Sequence, residues 1–103
     1  MNYPLNDKNK NPRYAPEILK LIIGLEERNI PYSVRGLFDG YQVFCPGWDA
    51  ICHCGSYGHE RGLLETMGLQ MPSQTDEEFD EDDVVGYLTA DKILEVIDAQ
   101  NRE

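Results

Sequence analysis

The chain reads as a single small α+β domain, a three-stranded antiparallel meander with three helices packed on one face. Three observations predict it. Apolar residues recur at helical spacing near both ends and again after residue 55, whereas residues 32–54 alternate at the two-residue period of a half-buried strand. Asp39-Gly40 and Pro46-Gly47 cut that alternating region into three pieces. At 103 residues the chain holds one core, because two would leave neither half a usable interior.

Taken in order, residues 1–13, "MNYPLNDKNKNPR", have little to bury and are expected to form a flexible N-terminal arm ahead of a domain spanning 14–103. A helix is predicted over 16–28. Pro16 suits the first helical position, where its missing N–H leaves no gap. Ile18, Leu19, Ile22 and Ile23 supply the apolar stripe, widened by Leu21 and Leu25. Asn29 can take the left-handed conformation that ends a helix, Ile30 folds back on the last turn, and Pro31 prevents continuation. Strands follow over 32–38 and 41–45, joined by Asp39-Gly40 as a type I′ turn. The third strand, "WDAICHC", places Trp48, Ala50, Cys52 and Cys54 on one face and Asp49, Ile51 and His53 on the other. A short second helix is expected from a Ser56 cap through Leu63, Leu64 and Met67 to Gly68. An acidic loop, 70–83, leads to a third helix that begins with Thr89 as cap and Asp91 in its first turn, and buries Ile93, Leu94, Val96 and Ile97.

The composition is acidic: nineteen Asp and Glu stand against nine Lys and Arg, a net charge of −10 with histidines neutral. Seven carboxylates fall among the eight residues from 76 to 83, namely Asp76, Glu77, Glu78, Asp80, Glu81, Asp82 and Asp83, so most of the imbalance is local. Such a run is ordinarily solvated. Direct nucleic-acid binding is disfavoured, since it rests on basic side chains that displace counterions from phosphates, whereas a basic protein surface would be attracted. No apolar run approaches the ~20 residues of a membrane span, and the first thirty residues lack a signal-peptide pattern, so a cytoplasmic location is expected. An odd count of three cysteines excludes a complete disulfide framework and favours free thiols in a reducing cytosol.

The chemically dense stretch is "CPGWDAICHCGSYGHE", residues 45–60. Cys45, Cys52, Cys54 and His59 are the ligand types of a structural zinc site. Their spacing does not match one, because the close pair is Cys-x-Cys along a strand rather than two thiols flanking a turn. Buried cysteines acting as small apolar residues are the plainer reading, and no cofactor is expected. A thiol nucleophile would have to use His59 as its base, since His53 points away from both neighbouring cysteines, and the surrounding charges do not favour a thiolate. Trp48, Tyr57, His59 and Arg61 are candidates for partner binding, because Trp, Tyr and Arg concentrate at interface hot spots.

"LFDGYQV", "WDAICHCGSYGHERGLLETMG", the acidic loop and "VVGYLTADKIL" together resemble a group of small uncharacterised proteins of Gram-positive gut bacteria and their phages, over residues 16–97. That group has no established activity, so the resemblance transfers no site and implies only a phage or prophage origin. In size and acidity the chain is also similar to anti-CRISPR proteins and other DNA mimics. The expectation is therefore a non-enzymatic binding protein, a phage-encoded inhibitor acting in the bacterial host cytosol on a basic surface of a nucleic-acid-handling protein such as Cas9. Its rivals are a zinc- or thiol-dependent domain on the cysteines and His59, and a structural or homodimeric module that uses the exposed sheet.

Overall fold

The structure is a computed structural model and describes residues 10–101; residues 1–9, most of the expected arm, lie outside the described residues. Lys10 and Asn11 are tied to the first hairpin, where Lys10 Nζ donates to the Phe38 carbonyl at 2.7 Å and the Asn11 N–H to the Asp39 carbonyl at 2.8 Å. A single 3₁₀ turn, Pro12–Tyr14, then leads into helix α1, Pro16–Glu27.

Helix α1 starts and stops for the expected reasons. Pro16 opens it, and Asn29 closes it in the left-handed region at φ 54°, with the Asn29 N–H on the Glu26 carbonyl and the Ile30 N–H on the Leu25 carbonyl. Its buried face differs from the expected stripe. Ile18, Leu21, Ile22 and Leu25 are fully buried, while Leu19 and Ile23 are 40% and 49% exposed. Apolar residues cover more than half of this helix's circumference, so spacing alone does not say which side faces inward. Packing against the second helix decides it.

That second helix is α2, Ala90–Gln100, capped by Thr89, whose hydroxyl accepts the Lys92 N–H. The two helices run parallel and are clamped at both ends. Glu17, in the first turn of α1, accepts the Ala90 N–H at 2.8 Å, and Arg28, just past the end of α1, makes a two-pronged pair with Asp98 at 2.8 and 2.9 Å. Between the clamps Gly24 meets Leu94, with no room for a Cβ at position 24.

Beneath the helices lies a five-stranded antiparallel sheet in sequence order, formed by β1 (Ser33–Leu37), β2 (Gly40–Cys45), β3 (Trp48–Cys52), β4 (Leu64–Met67) and β5 (Val84–Leu88). The α+β class stands, but the three-stranded meander with three helices does not: among the described residues the sheet has five strands and there are two α-helices. The expected helix over 56–68 is a 3₁₀ turn, His59–Arg61, followed by β4. Gly58 and Gly62, at φ 98° and 70°, bend the chain on both sides of that turn, and Leu64-Glu65-Thr66-Met67 then alternates buried and outward as a strand does. Leu63, Leu64 and Met67 fit a helical period only because three positions are too few to separate the two.

The first hairpin also turns one residue earlier than expected. Its central residues are Phe38 and Asp39, only Phe38 has positive φ (52°), and Gly40 already pairs with Leu37. A side chain at Gly40 would run into the Cys52 backbone, which is why glycine stands there. Strand β3 ends at Cys52. Ser56 Oγ accepts the His53 N–H and donates to the His53 carbonyl, closing a turn that buries His53 and exposes Cys54, the reverse of strand alternation. Strand β5 carries a bulge where Gly86 and Tyr87 face Glu65, and Tyr87 sits at φ 58°.

The inner face of the sheet, with Tyr41, Val43, Ala50, Cys52 and Leu64, joins the helices in one core. Thr66 shares that face, 1% exposed, and its hydroxyl finds no partner. On the outer face a polar chain crosses the strands, from Arg35 Nε to Gln42 Oε1 at 2.8 Å and from Gln42 Nε2 to Asp49 Oδ2 at 2.7 Å.

Two outcomes check this packing. In urea titration Ile22→Ala is expected to cost roughly 2–5 kcal/mol by leaving a cavity, and the half-exposed Ile23→Ala less than about 1 kcal/mol. Thr66→Val removes a buried hydroxyl that bonds to nothing and is expected to raise the unfolding free energy by about 1 kcal/mol, read as a higher urea midpoint at unchanged slope.

Candidate functional site

The segment that joins β4 to β5, residues 68–83, is built rather than merely tethered. Its ends meet where the Gly68 N–H approaches the Asp83 carbonyl at 3.4 Å, and its first half drives Leu69 and Met71 into the core. Gln74 then acts as a hub, its Oε1 accepting the Met71 N–H at 2.9 Å while its Nε2 donates to Asp83 Oδ2 at 3.1 Å. Thr75 and Glu78 form a reciprocal pair, with the Glu78 N–H on Thr75 Oγ1 and the Thr75 hydroxyl on Glu78 Oε1. Asp80 and Asp83 close the last turn through the Asp83 N–H on the Asp80 carbonyl and the Asp80 N–H on Asp83 Oδ2.

The carboxylates thereby face outward on a defined scaffold. Asp76, Glu77, Glu78, Asp80, Glu81 and Asp82 are exposed and Asp83 is half-buried. None of the ion pairs among the described residues involves any of them. Phe79, at the centre of the run, turns back toward the domain and is half-buried.

Between this loop, the Pro46-Gly47 turn and the last turn of α2 lies a groove of about 580 Å³. Its apolar surface comes from Trp48, Met71, Phe79 and Val96, and its polar surface from Gln70, Gln74 and Gln100. Leu69 and Met71 thus root the loop in the core on one side of a cleft whose other side is helical. The Glu81 carbonyl comes close to Gly68, so the acidic run borders the same end of the sheet as Trp48.

The residues singled out from the sequence divide between two ends of the molecule. Trp48 joins the acidic loop at the groove. Tyr57, His59 and Arg61 lie in the connection between β3 and β4 at the opposite end, since β3 runs away from the groove from Trp48 to Cys52 and β4 returns from Leu64 to Met67. There His59 Nδ1 meets the buried Tyr14 hydroxyl at 3.1 Å, and exposed Tyr57 packs on the Gly86 bulge and accepts the Tyr87 N–H through its carbonyl. Burial pushes the Tyr14 hydroxyl pKa up, so Tyr14 stays protonated toward His59. Gln70, Gln74, Gln100, Met71 and Phe79 were not singled out. In a polar turn such as "LQMPSQT", residues 69–75, glutamines carry no periodic signal, and Trp48 is the one groove residue that the sequence marks.

The cysteines are spread along the hairpin. Cys45 pairs with Trp48 at the groove end of β2, while Cys52 pairs with Tyr41 at the far end of β3, about 13 Å away by strand rise. Among the described residues no group of three or more His, Cys, Asp and Glu is placed to hold a metal ion. Burial pushes the Cys45 and Cys52 thiols up to about 12, and Cys52 donates to the Leu63 carbonyl at 3.3 Å. The exposed Cys54 thiol is pushed up by its hydrogen bond to Asp39, whose carboxyl is lowered by the Cys54 backbone N–H at 3.0 Å. All three thiols are therefore held in their protonated, weakly nucleophilic form at neutral pH.

No helix among the described residues is long and apolar enough to cross a membrane. Protein-family models, curated proteins and solved structures yield no match to this chain.

The thiols set an alkaline limit on stability. Cys45 and Cys52 ionise near their ordinary 9.0 once unfolded and near 12 when folded, so above pH 9 the folded state holds more protons. Stability present below pH 9 is expected to drain away as pH rises toward 12, and Cys45→Ala is expected to flatten that decline in denaturant midpoints measured across the range.

Proposed function

We propose that the protein is an acidic binding protein that engages a basic surface of another protein, in the manner of a phage-encoded inhibitor of anti-CRISPR or DNA-mimic type. The partner class is a nucleic-acid-handling host effector such as Cas9, whose arginines and lysines would meet the loop in place of phosphates. The observation that carries the reading is the construction of residues 75–83: short turns hold seven carboxylates on a scaffold rooted in the core, and none is neutralised by an ion pair among the described residues. A solubilising run needs no such internal bonding. Carboxylates presented in a fixed arrangement attract a cationic surface from a distance and also select its geometry.

A second reading, an interaction module that pairs two copies through the uncovered sheet face, has one observation in its favour. Phe44, Asp49, Met67 and Val84 stand in one cross-strand row, and Phe44, Met67 and Val84 are exposed. That reading requires a dimer whose population rises with concentration in sedimentation.

The charge reading is tested by replacing Asp80, Glu81, Asp82 and Asp83 with Asn and Gln. The variant is expected to stay folded and to lose affinity for a basic partner at low salt. The wild-type complex should weaken steeply between 50 and 300 mM salt, because exposed charges are screened beyond about 8–10 Å at physiological ionic strength. Unchanged binding by the neutral variant, or a partner that holds nucleic acid and this protein together, would sink the mimicry.

A further inference from the structure

The groove beside the acidic loop has a property that its apolar lining conceals: the polar groups it offers are acceptors. Gln70 Nε2 is spent on the Gln74 carbonyl and on Asp76 Oδ1, both at 3.0 Å, and Gln100 Nε2 on the Gln70 carbonyl at 2.8 Å. Because each of those partners can only accept, the amide orientations are fixed, with nitrogen inward to its partner. Among the described residues the Oε1 atoms of Gln70 and Gln100 accept no hydrogen bond. Gln74 spends both ends of its amide inside the loop.

The helix beside the cleft adds to its electronegative character. Its α2 wall, Val96, Ala99 and Gln100, is the C-terminal end of the helix, where the last carbonyls lack intrahelical partners, and that turn contains no basic residue. Among the described residues Arg28, which follows the end of α1, is committed to Asp98 and to the Gly24 carbonyl and does not line the groove. The loop segment supplies the other wall through the neutral residues Gln70, Met71, Gln74 and Phe79, and its carboxylates stand beside the groove without lining it. Among the described residues no lysine or arginine lines the groove, and Trp48 and Phe79 offer aromatic surface within it.

We infer that this groove receives an arginine side chain carried on an extended segment of the partner protein, with the guanidinium held against the Trp48 and Phe79 rings by the glutamine oxygens and the loop. The inference rests on the reading of the loop proposed above and names the chemistry that the loop would draw in. Guanidinium suits the site better than ammonium. It is planar, carries five donors and no acceptor, is weakly hydrated, and stacks on aromatic faces. An acceptor-lined apolar cleft of this size takes such a side chain with its flanking apolar residues, and among the described residues it offers a phosphate no cationic partner.

Trp48 is the single tryptophan of the chain, so its emission reports on the groove directly. The probe is a blocked tripeptide of arginine between two leucines, compared with tripeptides bearing lysine or citrulline in its place. Citrulline keeps the shape of arginine without its charge. Saturable change of Trp48 emission is expected with the arginine peptide, at least tenfold weaker binding with citrulline, and several-fold weaker with lysine. Calorimetry should show Gln100→Ala and Phe79→Ala each weakening the arginine peptide several-fold without altering the melting temperature by more than a few degrees. Equal affinity for arginine and citrulline, or no saturable signal, overturns the inference. If the arginine peptide fails while neutralising Asp80–Asp83 still abolishes binding of a basic partner, the groove assignment falls and the charged loop stands. If the arginine preference survives loop neutralisation undiminished, the reading of the loop falls.

Discussion

Everything in this fold depends on the seam between α1 and α2. Gly24 lets Leu94 press against the α1 backbone, and the Glu17–Ala90 and Arg28–Asp98 bonds hold the helices parallel at either end. Two helices side by side present roughly 18–22 Å of width to whatever lies beneath them. Three strands, with two gaps of about 4.8 Å, would leave the second helix overhanging water; five strands, with four gaps spanning about 19 Å, cover both. The five-stranded sheet thus matches the width of the helix pair, and Leu64 of β4 and Leu88 of β5 join Ile93, Leu94, Val96 and Ile97 of α2 in one core.

The sheet's strand order places the acidic segment. Strands β4 and β5 are short, four and five residues, and the chain between them must cross one end of the sheet. Leu69 and Met71 anchor the crossing in the core, and the turns from Gln74 to Asp83 project from that anchor beside the last turn of α2. Charge and cleft are adjacent because both are products of the same connection. A loop placed by core residues holds its carboxylates at lower entropic cost on binding than a free tail would.

The opposite end of the molecule has a different character. There the left-handed Tyr87, the exposed Tyr57 and the Glu60–Tyr87 hydrogen bond, which lowers the Glu60 carboxyl, gather around a glycine-rich turn. Its histidines are engaged, His59 with Tyr14 and His53 with the Gly55 N–H and the Phe38 ring. The dense cluster of cysteine, histidine and aromatic residues that draws the eye in the sequence is therefore dispersed in space. Its members serve the hairpin, the core and the turn separately, and Trp48 alone reaches the groove.

Both helices could be read directly from residues 16–30 and 89–100, because their starts and stops are local: Pro16, Asn29 and Thr89 act on hydrogen bonds within a few residues of themselves. The first three strands were equally plain, since alternation and turn residues are local signals, although the positive φ fell at Phe38 instead of at Asp39-Gly40. Net charge and its concentration in 76–83 follow from composition alone. The inward side of α1, the strand identity of Leu64–Met67, the pairing of Val84–Leu88 and the groove itself did not follow. Each depends on a contact between residues far apart in the chain. Ile22 is buried and Ile23 exposed because α2 lies where it does, and Leu64-Glu65-Thr66-Met67 becomes a strand because β3 and β5 offer it hydrogen bonds on both sides. Local sequence sets where elements begin and end, while the choice of face, partner and cleft belongs to packing across the chain, whose energetics no short window contains.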